Sequence, residues 1–489
     1  MREVGLAHRS PLHKFPDHKR VISRLFIPGQ EIVGGSESRT EGTIARVLAL
    51  SESDVTDTLA EIMVRFSERH VDLPAIFEEH AAHVFDREEN RGTISPARRQ
   101  LLGAAFTHEY SIEGAAVCNP SLVAHFDQSD VEPGALRVIS SFRSIGEGHV
   151  SSISFRVGMI GVNGDLAFDD PEPFPIVAAI TTSTFLRTVF RTMLSMFGAD
   201  RETTALLFNQ LPEEFSAIEL EHALTTIGSQ GDTRLEVLEA STLIRSVALC
   251  FYTANFERSV HLSRRVLWPA TVVESHGVED ARFVKFMGDE TCYVASYTAF
   301  DGRNVSQQLL ETEDFCTFTS TPMTGIGARN KGLAIFPRKI NGQYLGLSRH
   351  DRETNSLASS DDLYCWEHVC DIQSPTRGWE LLQMGNCGSP IELDEGWLVI
   401  IHGVGAMRTY GIGALLLDLE HPEIVLAHLP GPLLIPCSSE QDGYVPNVVY
   451  SCGSLVHNGT LYLPHGIADG ALGHVTVSIS ELLSKFVNV

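Results

Sequence analysis

Apolar residues change their period along this chain, and the changes divide it. Residues 1–40 mix Pro, Gly, His and Arg with neither a helical nor a strand repeat, which predicts an irregular arm. From residue 51, "SESDVTDTLAEIMVRFSERH" opens on Ser and Asp capping material. It then spaces Leu59, Ile62, Met63 and Phe66 three and four apart, the mark of an amphipathic helix. Further helices are expected near 72–85 and 96–106. Strands are expected from about 118, where "ALRVISSF" and "HVSSISFRVGMIG" are rich in β-branched residues and separated by Gly146 and Gly148. Residues 172–256 return to helical spacing, clearest in "ADRETTALLFNQL" and "TRLEVLEASTLIRSVALCFY". From 278 onward nearly every segment reads as a short strand bounded by Gly, Asn or Asp.

The last part repeats. "GDETCYVASYTAFDGR", "NGQYLGLSRHD", "DEGWLVIIHGVG" and "NGTLYLPHGIAD" each set a turn before an aromatic-led strand that ends in polar residues. The lead aromatics Tyr293, Tyr344, Trp397 and Tyr462 are spaced by 51, 53 and 65 residues, close to a four-stranded propeller blade plus variable loops. "GALRVISSFRSIGEGHVSSISFRVG" has the same character and supplies one more blade. The expected architecture is mainly β: a five-bladed β-propeller with N-terminal helices and a helical insertion. The expected divisions are an arm and helical region over 1–110, a first blade over 111–171, a helical cap over 172–256 and the remaining blades over 257–489.

Composition narrows the function. A 43% apolar fraction, 20% charge and a mean hydropathy near zero describe a soluble globular chain, with no apolar run long enough to cross a bilayer. The N-terminus lacks the apolar stretch of a secretory signal, so a cytoplasmic setting is expected. Nine cysteines without a C-x-x-C pair argue against a disulfide framework or zinc ribbon, and no metal site is expected. The net charge of −25 disfavours nucleic acid and anionic membranes as partners. Walker, dinucleotide-binding and H-E-x-x-H motifs are absent from the sequence.

In a propeller, equivalent strand ends of successive blades face one central mouth. Those positions hold Arg143, Arg303, Arg349, His402 and Asp469, while Lys331 and Asp280 stand at blade starts. Singly, each reads equally well as a solvated loop cation, a core histidine or a turn carboxylate. Jointly, several cations converging with carboxylates in an acidic protein suit transfer of a glycosyl group to phosphate. A proton donor must assist the leaving oxygen while an anionic nucleophile is held on the opposite face of the sugar. Asp280 is expected at a solvent-facing mouth, in the stretch "HGVEDARFVKF".

Residues 277–486 resemble glycoside hydrolase family 130, the β-mannoside phosphorylases and related β-mannosidases. The resemblance rests on "GVEDARF", "YTAFDGR", "NKGLAIFPRKINGQY", "GNCGSPIELDEGWLVIIHGVG", "YGIGALLLDLEHPE" and "GYVPNVVYSCG", in that order, with "CNPSLV" and "SSFRSIGEGHVSSI" similar to the first blade. It implies a five-bladed propeller and an inverting phosphorylase that cleaves a β-mannoside, of mannooligosaccharide or mannosyl-glucose type, to α-mannose 1-phosphate. It implies Asp280 as general acid, acting through a substrate hydroxyl. Arg303, Lys331, Arg349 and His402 become the phosphate site. Asn119, Arg143 and Asp469 hold the mannosyl unit, with Glu279 and Arg282 also on the substrate side and Arg282 orienting the neighbouring carboxylates. Ala281 stands where the family usually has Pro. Inorganic phosphate is then the co-substrate, with no cofactor, and oligomeric state is open. The alternatives are a hydrolase of the same family, disfavoured by the retained basic residues, and a non-catalytic glycan-binding propeller, disfavoured by the retained Asp280.

Overall fold

The computed structural model describes residues 3–11, 13–28, 39–85, 93–199, 201–230, 235–287 and 292–489. The turn expected at 288–291, ahead of Tyr293, lies outside them. Contacts divide the chain into two units, one of residues 17–114 and 172–176 and one holding the rest.

The smaller unit is built from helices Arg39–Ala49, Glu52–Phe66, Leu73–Phe85 and Pro96–Ala105. Local chemistry explains their starts. Ser51 accepts from the Asp54 N–H, and Ser95 accepts from the Arg98 N–H with Pro96 in the first turn. Ile44, Val47, Val55, Phe85, Leu101, Leu102 and Phe106 form the core. The buried Arg98 guanidinium donates to the carbonyls of Val47 (2.6 Å) and Leu50 (2.8 Å), closing the end of the first helix, and pairs with Glu52 (2.6 Å).

The larger unit is mainly β. Strands Ala116–Ala124, Leu136–Ile145 and Ser151–Ile160 form one antiparallel meander, and Gly277–Phe286, Cys292–Phe300, Val305–Thr312 and Thr317–Pro322 a second. The two join in one 12-stranded sheet through the parallel pairing of Gly277 with Ser151. Separate sheets of four, six and five strands follow along the chain. The four lead aromatics fall one to a sheet, in strands Cys292–Phe300, Tyr344–Ser348, Gly396–Val404 and Thr460–Ile467. Tyr293, Trp397 and Tyr462 are buried, and a fully buried aromatic contributes roughly 3 kcal/mol. Their polar ends are satisfied: Tyr293 donates to the Ala124 carbonyl (2.9 Å), Trp397 to that of Leu419 (3.0 Å) and Tyr462 to that of Gly164 (2.9 Å).

Successive sheets share apolar cores. Ile153 and Phe155 pack with Phe283 and Phe318, Leu309 with Ile335 and Trp366, Leu347 with Trp397 and Ile401, and Leu398 with Leu461 and Val475. Tyr462, in the last sheet, packs with Leu122, Val138 and Ile160 in the first. Helices Arg187–Met196, Arg201–Phe208, Ala217–Gln230 and Leu235–Ala248 leave and return on adjacent strands. Ala179–Thr182 pairs with Tyr252–Asn255, which pairs with Thr317–Pro322. The helices enclose their own core around Phe185, Phe190, Phe215 and Phe251.

Residues 1–40 are not simply an irregular arm. His8–Arg9 pairs with Ala471–Ser478, and Val21–Leu25 pairs with Thr107–Ser111. Strands this short carry no readable alternation, and their partners are distant in sequence. Five of the nine free cysteines are buried and Cys365 is exposed. Among the described residues no helix is long and apolar enough to cross a membrane.

Candidate active site

Two β-bulges make the centre of the site. Pairing along Ala116–Ala124 jumps from Cys118↔Arg143 to Ser121↔Ser141, and pairing along Gly277–Phe286 jumps from Glu279↔Thr298 to Arg282↔Ser296. The displaced residues include Asn119 (φ 52°) and Asp280 (φ 57°), both in the left-handed region that Asn and Asp tolerate better than most side chains. The bulges meet: Asn119 Nδ2 donates to Asp280 Oδ1 at 2.6 Å.

The adjacent carboxylates have different partners. Glu279 accepts from Arg143 Nη2 at 2.6 Å and from Lys331 Nζ at 3.3 Å. Asp280, only 6% exposed, accepts its side-chain hydrogen bond from neutral Asn119. It is therefore buried, not at a solvent-facing mouth, because the bulge turns it inward. Burial alone raises a carboxyl pKa, but Arg143, Lys331, Arg282 and the Asn119 amide outweigh it and hold Asp280 below its ordinary value.

Asp469 (φ 46°), between strands Thr460–Ile467 and Ala471–Ser478, behaves oppositely. Burial and the charge of Asp280 push its carboxyl up to about 6, against Arg143, Arg408 and Lys331. A raised carboxyl favours the folded state below its unfolded pKa, near 3.8, and loses that contribution as pH climbs through about 6. Asp469→Asn should therefore stabilise the protein at pH 7, by up to about 3 kcal/mol, and change little below pH 4. Urea melts at both pH values check this.

Arg282 corrects the expectation that it orients carboxylates. Its fully buried guanidinium donates to the Asp280 main-chain carbonyl (2.9 Å), Tyr450 Oη (2.8 Å) and Asn386 Oδ1 (3.3 Å). Its charge bears on Asp280 through space, while its hydrogen bonds hold the bulge backbone. Asn386 is the hub between two clusters. Its amide donates to the Gly332 carbonyl (2.6 Å), and its own carbonyl accepts from His402 Nδ1 (3.0 Å).

His402 Nε2 meets Arg349 Nη1 at 2.9 Å. A guanidinium can only donate, so Nε2 accepts and Nδ1 carries the proton toward Asn386. Burial, then the Arg349 charge, drives the His402 pKa well below its ordinary value. His402 is thus neutral and positions Arg349, where the sequence reading counted it among the cations. Gly385 provides the room: a Cβ there would collide with Arg349 Cδ and crowd His402 Cε1. On the expectation that Arg349 belongs to a phosphate site, Gly385→Ala should displace its fork and raise the apparent phosphate constant about tenfold, on the order of one charge-assisted hydrogen bond, in a phosphate titration at fixed mannoside.

Arg303 is set apart. It is exposed beside Asp301, which accepts its backbone N–H (2.7 Å), and among the described residues no hydrogen bond or ion pair joins its side chain to the cluster. The structure brings together Asn119, Arg143, Glu279, Asp280, Arg282 and Lys331, with Asp469 in electrostatic reach, and links them through Asn386 to Arg349 and His402. Buried Asn119 Oδ1, Arg143 Nε, Arg349 Nε and Asp469 Oδ1 have no hydrogen-bond partner among the described residues. Such a concentration of unmatched polar atoms is the signature of a site shaped for a polar ligand.

A family model described as beta-1,4-mannooligosaccharide phosphorylase matches residues 253–487. The 1,2-beta-oligomannan phosphorylase of Thermoanaerobacter sp. (strain X514) is 34% identical over 239 residues, 47% of this chain and 76% of that protein. The chain belongs to glycoside hydrolase family 130. A beta-1,2-mannobiose phosphorylase of Listeria innocua is 32% identical over 45% of this chain and 62% of its own length. A solved structure of a beta-1,2-mannobiose phosphorylase from Listeria innocua, in complex with beta-1,2-mannobiose, aligns with 77% of this chain and 92% of that one, at 23% identity and a TM-score of 0.45.

The segment matching family 130 contains Glu279, Asp280, Arg282, Lys331, Arg349, His402 and Asp469, whereas Asn119 and Arg143 precede it and join only through the fold. Gly385, Asn386 and Tyr450 escaped the sequence reading as functional residues. The quoted stretches "GNCGSP" and "NVVYSCG" contain Asn386 and Tyr450, but nothing local shows that an Asn and a Tyr hold a buried arginine.

Proposed function

We propose that the chain is an inverting β-mannoside phosphorylase, with the sheets of the larger unit arranged as five propeller blades around the site. The circular succession of shared cores, with Tyr462 returning to Leu122, supports the blade arrangement. The observation that carries the function is buried Asp280, flanked by unmatched polar atoms and linked through Asn386 to an arginine–histidine pair.

In this reading Asn119, Arg143 and Asp469 hold the mannosyl unit, while Arg349 and Lys331, with Arg303 at the exposed edge, receive phosphate. A phosphate oxygen attacks the anomeric carbon from the face opposite the aglycone. As that bond forms, the C1–O bond breaks, and Asp280 passes its proton through a sugar hydroxyl to the departing oxygen. The products are α-mannose 1-phosphate and a shortened alcohol. Without phosphate the surrounding cations hold Asp280 ionised, so it must take up a proton from water before it can act as an acid. Bound phosphate, with about 1.5 to 2 negative charges near neutral pH, offsets those cations and raises Asp280 toward protonation. Phosphate then serves as nucleophile and primes the acid.

A panel of β-1,2- and β-1,4-mannosides and mannosyl-glucose, incubated with and without phosphate, tests the reading. The expected product is α-mannose 1-phosphate, formed only with phosphate. Free mannose released equally fast without phosphate would overturn it in favour of hydrolysis.

A further inference from the structure

The strand Tyr344–Ser348 runs into "RHDRE", where Asp351 Oδ1 accepts from the backbone N–H groups of Glu353 (2.9 Å) and Thr354 (2.8 Å) and turns the chain back. Asn355–Ser360 follows and pairs with Glu367–Gln373 in the register Ala358↔His368, Leu357↔Cys370 and Ser356↔Asp371. The shift between Leu357 and Ala358 makes Val369 an extra residue. Residues three apart on a regular strand face opposite sides, and one extra residue between them restores His368 and Asp371 to a common side.

On that side His368 Nε2 lies 3.3 Å from Asp371 Oδ1, and the His350 ring centroid lies 4.3 Å from that of His368. One ligand atom from each of the three residues falls within 4.8 Å of the others. Nδ1 of both histidines is buried and has no hydrogen-bond partner among the described residues, an unfavourable arrangement for two facing imidazoles. The Ser356 hydroxyl donates to Asp371 Oδ1 at 2.9 Å and fixes that carboxylate.

We propose that His350, His368 and Asp371 form a binding site for a divalent transition-metal ion of the zinc class. Two imidazoles and one carboxylate are a donor set such ions take, with open coordination left for water. Tetrahedral coordination brings ligand atoms to about 3.3 Å from one another, so the three side chains need a further closure on the order of 1 Å. Asp371, with 56% of its side chain exposed, can supply much of it. Asp351 lies within electrostatic reach of His350. Asn330 ties this loop to the site, since its amide donates to the His350 carbonyl and accepts from Arg352 Nε at 2.9 Å.

The test titrates Zn²⁺ by calorimetry, and Co²⁺ by its visible d–d absorption, into chelator-treated full-length protein. The expected result is one ion per chain on this site. His368→Ala and Asp371→Asn should each weaken binding at least tenfold, and Ser356→Ala roughly tenfold, the usual size of an outer hydrogen-bond effect. His457→Ala, remote from the cluster, should leave binding unchanged. Asp371→Asn, at an exposed position, remains informative if His368→Ala fails to fold. No saturable binding, or identical isotherms for wild type and Asp371→Asn, would show that the cluster is an ordinary ion pair beside a second histidine and would overturn the proposal.

Discussion

Asp280→Asn should reduce phosphorolysis by roughly 10²- to 10⁴-fold, the range that general-acid assistance contributes, while the protein stays folded at some cost in stability, because Arg143, Lys331 and Arg282 lose the charge they hold ionised. The amide keeps the side-chain volume and leaves an oxygen to accept from Asn119, so the paired bulges have no reason to rearrange. Glu279→Gln should behave differently. A neutral side chain leaves Arg143 and Lys331 without their shared counter-charge, and Glu279 itself is buried. Removing one partner of such a cluster costs about 3 kcal/mol, which should appear as lower stability and weaker mannoside binding. Initial rates at saturating phosphate, read beside thermal melts, separate the two variants. An active Asp280→Asn beside an inert but well-folded Glu279→Gln would reverse the assignment.

Arg349→Lys should raise the apparent phosphate constant about 10- to 150-fold, equivalent to the 1.5–3 kcal/mol of a charged hydrogen bond, and leave mannoside binding without phosphate nearly unchanged. The guanidinium offers a planar fork, one arm of which is already oriented by His402 Nε2. A lysine ammonium can neither span two phosphate oxygens nor keep that contact in the same geometry. Independent titration of phosphate and mannoside against both proteins decides the point. An equal loss for both ligands would assign Arg349 to the sugar or to the fold. His402→Gln should show the same phosphate-selective loss in milder form, because His402 acts by holding Arg349.

Local chemistry made three of the first four helices legible. Ser51 and Ser95 cap helices whose apolar residues recur at short range, so the helices expected from about 51, near 72–85 and near 96–106 are found at Glu52–Phe66, Leu73–Phe85 and Pro96–Ala105, whereas Arg39–Ala49 was not foreseen. The aromatic-led repeats were legible for a related reason: three of the four strands bury the lead ring and the fourth half-buries Tyr344, so the pattern recurs whatever the loops between. Residue types in the site were legible too, since Arg349 follows the end of a repeated strand, while Asp280 and Lys331 stand where the repeats were read as beginning.

Partnership was decided elsewhere. A bulge is a property of two paired strands, so the left-handed Asn119 and Asp280, and the extra Val369 beside His368, have no signature in either strand alone. His402 becomes neutral because folding buries it against Arg349, and Arg282 grips a backbone carbonyl and Tyr450 because folding brings segments 168 residues apart into contact. The sequence determined, through short-range periodicity and capping, which segments are helix or strand and which charges stand at their ends. Register, desolvation and the identity of each charge's partner depend on distant segments meeting, and those the tertiary structure alone decided.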